Sequence, residues 1–247
     1  MVKKIIAILV AFVLVGYLSI AGIIYRVGKE PATYNDIMID IDEIADQSFV
    51  TEADVRQQLK AARVNPIGKV IDSVNTLEIS RVLERNKLIL EAHCYHSPDS
   101  VLHIDIVQRQ PSLRVKSVSQ GDFYVDNEGE IMPVQNIVPM QIPLATGYIS
   151  KDRASTELYE LAQYLGDNKF WRNEITQIFV NTNGDIELIP RVGSHTILLG
   201  TADNCEKKLN KVRKFYDKVL ERKGWNYYKV INVKFENQVI GEKAISK

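Results

Sequence analysis

The stretch His93-Cys94-Tyr95-His96, together with His103, comes closest in this chain to a set of reactive side chains. Imidazole and thiolate are the soft donors that bind zinc. Ser97-Pro98-Asp99-Ser100 lies between two apolar runs and reads as a tight turn. A turn centred between Pro98 and Asp99 sets Cys94 opposite His103, with His96 on the same face. Three ligands then share one side of a hairpin. The plainer reading is a strand with three ordinary half-buried polar residues. No fourth ligand and no recognised zinc spacing accompanies them, so the sequence predicts no metal and no cofactor.

Other routes to catalysis are equally bare. The chain has no Gly-x-Ser-x-Gly, no phosphate-binding P-loop, no His-Glu-x-x-His and no Gly-x-Gly-x-x-Gly. Asp36, Asp40, Asp42, Glu43 and Asp46 cluster, but without the fixed spacing of a calcium loop. They read as a solvated strand face and turn. Lys207, Lys208, Lys211, Arg213, Lys214, Lys218, Arg222 and Lys223 crowd one helical stretch. That surface suits anionic lipid or an acidic partner, although a solvated helix face is the default. These residues give no catalytic set.

The elements that must carry such a surface begin with an apolar run at residues 5–25. It contains no charge, and Lys3 and Lys4 precede it. At a rise of about 1.5 Å per residue it covers roughly 30 Å, the thickness of bilayer hydrocarbon. The apolar core of a signal peptide is shorter, roughly 7–15 residues, so the run reads as an uncleaved anchor. Arg26 and Lys29 follow it, which nearly ties the charge vote on orientation. A tail of four residues before the helix points to a cytoplasmic N-terminus and an outer location for the rest. The chain carries 31 basic and 31 acidic residues. Nothing in that balance asks for nucleic acid. Cys94 and Cys205 are the only cysteines, which excludes a disulfide scaffold and favours two isolated thiols.

After a short linker, residues 34–44 alternate Ile37, Ile39 and Ile41 with Met38, Asp40 and Asp42, the period of a half-buried strand. Thr51 and Asp54 approximate a capping box ahead of a helix with Val55 and Leu59. Asn65-Pro66 breaks that helix, and Thr76 reads as the N-cap of a second one through Leu77, Ile79, Val82 and Leu83. Strands at 88–95 and 101–108 complete a β-α-α-β-β module. The second half is β-rich. Residues 113–118, 122–126 and 131–134 read as strands, and Pro139, Pro143 and Gly147 punctuate the passage after them. A helix covers 156–165. Strands at 175–182 and 185–189 flank Asn183-Gly184, a strong hairpin signal. A short strand at 196–199 and a long helix at 203–222, closed by Gly224, follow. The last strand spans 229–235 and leads into Val239-Ile240. A last strand is often an edge that offers unpaired N–H and C=O groups to another chain. It serves equally to finish the core with Phe235, Val239 and Ile240.

Four stretches resemble the bacterial cell-division family FtsQ/DivIB. Val74-Asn75-Thr76-Leu77-Glu78-Ile79 is similar to the start of the second helix in that family's POTRA module. Val107-Gln108-Arg109-Gln110-Pro111-Ser112-Leu113-Arg114 resembles the family's junction between domains. Phe123-Tyr124-Val125-Asp126-Asn127-Glu128-Gly129-Glu130-Ile131 resembles its Leu-Val-Asp-x-x-Gly-x-Val hairpin. Val230-Ile231-Asn232-Val233-Lys234-Phe235-Glu236-Asn237-Gln238 resembles its closing strand, with Asn232, Lys234 and Phe235 in place of the usual Asp, Arg and Tyr.

The resemblance implies an α+β protein. A cytoplasmic tail at 1–4, a transmembrane helix at 5–25 and a linker at 26–32 precede a POTRA-like domain at 33–110. A β domain with a closing edge strand follows at 111–241, then a tail at 242–247. It further implies a non-enzymatic scaffold in the cell inner membrane at the division septum, with its C-terminal domains in the periplasm. There it would link early division proteins to septal peptidoglycan synthesis. Partners of the FtsB/FtsL type would bind the terminal strand at Lys234, Phe235, Glu236, Asn237, Gln238 and Val239, and the POTRA module would meet other membrane division proteins. The rival readings are a POTRA-bearing secretion or assembly protein and a membrane-anchored metal-dependent hydrolase. The first needs a following barrel-length run of alternating strands, and the second a convergent cleft of perturbed acids.

Overall fold

A computed structural model describes residues 2–27, 31–43, 48–134 and 142–244. Asp46, Pro139 and Met140 lie outside the described residues, as do parts of the linker and of the C-terminal tail. The apolar run lies in one continuous helix, α1 (Val2–Val27). Among the described residues, no helix is long and apolar enough to cross a membrane. The side chains of 2–5, 7, 8 and 23–27 fall outside that description.

The first folded module follows the predicted order. Strand β1 (Asp36–Ile41) is succeeded by helices α2 (Glu52–Ala61) and α3 (Thr76–Leu83), then by β2 (Ile89–His96) and β3 (Val101–Gln108). The sheet order is β1-β3-β2, with β1 parallel to β3. The alternation of β1 buries Ile37 and leaves Met38 exposed. The capping box of α2 is complete: the Asp54 N–H donates to Thr51 Oγ1 at 3.2 Å, and the Thr51 N–H to Asp54 Oδ2 at 2.9 Å. The Thr51 hydroxyl, donating to Asp54 Oδ2 at 2.6 Å, and then the Thr51 N–H hold the Asp54 carboxyl below its ordinary pKa. The cap of α3 sits one residue earlier than the sequence suggests. Asn75, not Thr76, accepts the Glu78 N–H, and Thr76 opens the helix. Val55, Leu59, Ile79 and Leu83 pack on Leu102, Ile104 and Ile106 of the central strand.

The second sheet has nine strands in the order β12-β11-β10-β9-β8-β7-β4-β5-β6. Its strands are β4 (Pro111–Ser117), β5 (Gly121–Asp126), β6 (Ile131–Pro133), β7 (Leu144–Gly147), β8 (Ile175–Val180), β9 (Ile186–Pro190), β10 (Thr196–Gly200), β11 (Tyr228–Asn232) and β12 (Ile240–Lys243). Between β7 and β8, α4 (Lys151–Arg153), a π-helical turn (Ala154–Leu158), α5 (Tyr159–Asp167) and α6 (Lys169–Glu174) cross one face. Between β10 and β11 run α7 (Cys205–Phe215), a second π-helical turn (Tyr216–Leu220) and α8 (Glu221–Lys223). The apolar stripes of these helices, among them Leu158, Leu161, Leu165, Leu209, Val212 and Leu220, close the core over the sheet.

Strand β7 is where the sequence reads only punctuation. It has four residues and no alternation, yet it pairs in parallel with both β4 and β8 at the centre of the sheet. Gly147 ends it at φ +108, and a Cβ there would stand 2.0 Å from the Val180 carbonyl oxygen. Only glycine fits this backbone and this contact.

The two sheets meet at the junction motif. Asp126 is fully buried. Its Oδ1 accepts the N–H groups of Glu128 and Glu130 at 2.9 and 2.7 Å, and its Oδ2 accepts from Arg109 Nη1 at 2.6 Å. Arg109 also reaches Glu128 at 3.1 Å. The buried amide of Gln108 donates to the Asp42 carbonyl at 2.7 Å and accepts from the Phe49 and Val50 N–H groups. Tyr124 of β5 and Met132 of β6 are buried in the core of the first module. The junction and hairpin stretches read separately in the sequence therefore form one clamp.

Candidate functional site

The zinc candidate does not assemble. Cys94 pairs with Ile104, Tyr95 with His103 and His96 with Leu102. The turn explains the difference. Ser97 N–H donates to the Val101 carbonyl, so Pro98, Asp99 and Ser100 form a three-residue loop centred on Asp99, with Ser100 left-handed at φ 66. One residue of register moves His103 to the face opposite Cys94 and His96. The His103 ring stacks on Tyr95 at 5.2 Å. Cys94 is half-buried, and burial pushes its thiol pKa up. Among the described residues, no group of three or more His, Cys, Asp or Glu is placed to hold a metal. Cys94 and Cys205 are both free thiols. Asp36, Asp40, Asp42 and Glu43 are exposed on and after β1, and converge on nothing.

The C-terminal end of the sheet has a different organisation from a single long strand. Strand β11 stops at Asn232, although Val233 is fully buried and still donates its N–H to the Leu198 carbonyl at 3.0 Å. Residues 233–239 then cross as a strap, and the chain returns as β12, antiparallel to β11, with Asn232 opposite Ile240 and Ile231 opposite Gly241. Lys234, Phe235, Glu236, Asn237, Gln238 and Val239 thus belong to the strap and not to a strand. The edge lies at Ile240–Lys243, two residues of which fall in the stretch read as the C-terminal tail. The sequence signal for the turn is Glu236-Asn237-Gln238, a polar gap between the apolar pairs Val233/Phe235 and Val239/Ile240.

The strap is braced from both sides. Lys234 reaches across to Asp185 with Nζ 2.8 Å from Oδ1, and its stem lies against Gly200. From the helix side, Lys211 Nζ donates to the carbonyl oxygens of Val233, Phe235 and Glu236. An ammonium satisfying three carbonyls of one loop fixes its path. Phe235 stays 48% exposed and Ile240 40% exposed. Among the described residues nothing pairs with the outer side of β12, so a row of backbone donors and acceptors faces outward.

Behind the β10–β11 pair lies a buried aromatic cluster. His195 Nε2 is 2.8 Å from Tyr216 Oη, and Trp225 lies within 6.4 Å of the His195 ring and 5.0 Å of the Tyr216 ring. Burial lowers the His195 pKa and raises that of Tyr216, so both are held neutral. Trp225 begins the turn that feeds β11, and the cluster thereby seats the edge hairpin. Its residues are scattered in sequence, and no spacing announces them.

Family models match both modules. Residues 33–107 match the POTRA-like domain. Residues 110–242 match FtsQ/DivIB, C-terminal related, which takes in more than half of the chain and all but the last residue of β12.

This chain belongs to the FtsQ/DivIB family.

The family is one of non-enzymatic scaffolds of cell division, and its members have division proteins as partners. No curated protein matches the chain. The matched ranges separate at 108–109, where Gln108 and Arg109 make the clamp described above.

Proposed function

We propose that this chain is a membrane-anchored, non-enzymatic scaffold of the bacterial division machinery. In this reading α1 holds it in the cell inner membrane with its N-terminus in the cytoplasm, and everything after Arg26 works in the periplasm at the septum. The POTRA-like module at 33–110 meets other membrane division proteins. The open sheet edge takes an extended segment of an FtsB/FtsL-type partner by strand addition, and so links early division proteins to septal peptidoglycan synthesis. The observation that carries the reading is a nine-stranded sheet that ends on an unpaired strand within the matched family region.

The binding residues move with the fold. Backbone groups of Ile240, Gly241, Glu242 and Lys243 supply the ladder, and Ile240 presents an apolar side chain beside it. Lys234, Phe235, Glu236, Asn237, Gln238 and Val239 flank that ladder, with the exposed ring of Phe235 adding apolar contact. The test is a binding assay of the full chain against the periplasmic segments of the FtsB and FtsL counterparts from the same genome, with Ile240→Asp alongside. A charge on an edge strand blunts pairing. The expected result is binding by the wild type, weakened by roughly tenfold or more in the variant, with thermal stability unchanged. Equal binding by the two would refute the edge site.

A further inference from the structure

The strap and α7 enclose a groove that the strand ladder does not use. One end is lined by Asn204, Lys207, Lys208, Lys211, Glu236 and Asn237. The other is lined by Phe215, Val219 and Val239, with Lys211, Lys214 and Lys218 at the rim. The two ends share Lys211 and Asn237, so they form one continuous channel. Lys207, Lys211, Lys214 and Lys218 follow at intervals of four, three and four residues, which stacks them in one line along the helix. Their charges are unequal in duty. Lys211 is committed to the strap carbonyls, and Lys208 to the Thr201 carbonyl at 2.7 Å. Lys207, Lys214 and Lys218 are exposed, and none makes an ion pair among the described residues. Asp217, on the same helical stretch, pairs with Arg213, and the one carboxylate in the groove lining, Glu236, makes no ion pair with these lysines among the described residues.

We infer that this groove receives an acidic, amphipathic segment of protein, with apolar side chains on Phe215, Val219 and Val239 and carboxylates along the Lys207–Lys214–Lys218 line. Charge complementarity argues for the carboxylates, since three unpaired ammonium groups in a row favour a chain of opposite sign and repel a basic one. The apolar side chains of Phe215, Val219 and Val239 lie directly beside the lysine line, so a segment carrying both apolar and acidic side chains matches the surface. Continuity argues for the source. One end of any strand laid along β12 finishes beside Ile240, and the preceding residue, Val239, is a wall of the groove. The groove therefore deepens the scaffold reading, and rests on it only for where the acidic segment comes from: the same chain that adds to the edge.

The groove itself is testable with a defined probe. The full chain is placed in phosphatidylcholine nanodiscs and titrated with a fluorescent eight-residue peptide of alternating glutamate and leucine. The expected result is saturable binding that falls roughly tenfold or more in the triple variant Lys207→Glu, Lys214→Glu, Lys218→Glu, and that weakens with salt. The three side chains are exposed, and the triple Lys→Gln variant repeats the measurement without charge reversal. Lys151→Glu, at an exposed lysine of α4 outside the groove and the edge, makes a charge reversal elsewhere and should leave peptide affinity unchanged. Peptide binding lost in Ile240→Asp but kept in the lysine variant would assign the probe to the edge and overturn the groove. So would undiminished binding by the lysine variant, or binding to phosphatidylglycerol vesicles with none to the peptide. Failure of the partner assay with peptide binding intact would overturn the division reading alone.

Discussion

The nine-stranded sheet has two ends, and they are built to opposite purposes. At one end β6 is three residues long, closes on Pro133 and sends Met132 into the core of the POTRA-like module. Its neighbour β5 contributes Tyr124 to the same core and Asp126 to the Arg109 clamp. At the other end β12 contacts only β11 within the sheet, and leaves Ile240, Glu242 and Lys243 exposed. Proline and burial close an edge, whereas an unpaired ladder leaves it available. The lesson is that one end of the sheet is anchored by its side chains to the neighbouring domain, and the other carries no such anchor among the described residues.

Breaking the sealed end should have the largest effect. Asp126→Ala leaves the Arg109 guanidinium and two N–H groups without their acceptor in a buried site. Chemical denaturation of the full chain should show a loss of about 3–5 kcal/mol. A cost below about 1 kcal/mol would mean that the junction is wet and loose. Met132→Ala removes a fully buried side chain from the shared core and should cost about 2–5 kcal/mol by the same measurement, depending on how far the site collapses.

At the open end the same class of change should act on binding instead. Ile240→Asp should shift folding stability by no more than about 0.5 kcal/mol while weakening partner binding roughly tenfold, or about 1.4 kcal/mol. The smallest effect concerns the cluster that seats the hairpin. His195 is neutral in the fold, with its pKa pushed below the ordinary 6.5 by burial. The unfolded chain takes up the proton first as pH falls, so stability is whole above pH 6.5 and declines below it toward the lowered folded value. Burial raises the Glu174 pKa above 4.5, which works in the opposite sense from that pH upward. Comparing melting temperatures between pH 7.5 and 5.5 for the wild type and His195→Phe isolates the histidine. The variant should lose less stability on acidification, and parallel curves would remove His195 from the account.

The legible parts of the fold are those fixed by local chemistry. Thr51 and Asp54 announce their cap, Ile37, Ile39 and Ile41 their strand, and Gly224 the end of the long helix. The family likeness is carried by stretches such as 107–114 and 123–131, whose Arg109 and Asp126 form one buried contact. Errors arose where a single residue of register or a tertiary partner decides. A three-residue loop centred on Asp99 sets His103 opposite Tyr95 and not opposite Cys94. Strand β7 owes its existence to β4 and β8 on either side, and its four residues carry no period of their own. The closing strand reads as continuous because Val233 and Phe235 keep the alternation, yet Lys211 holds the strap carbonyls and the chain turns there. The unpaired edge of the sheet lies at Ile240–Lys243, after the strand that the alternation announces. The His195, Tyr216 and Trp225 cluster was invisible, since only the fold brings those positions together.

The most direct test of the open-edge account is amide hydrogen exchange on the full chain, with and without the periplasmic segment of its FtsB-type counterpart. The account predicts new protection at residues 240–243 on binding and no change at 131–133, because the first edge gains a strand and the second is anchored to the POTRA-like module through Met132. Protection confined to the POTRA-like module, with 240–243 still exchanging as in the free chain, would contradict it.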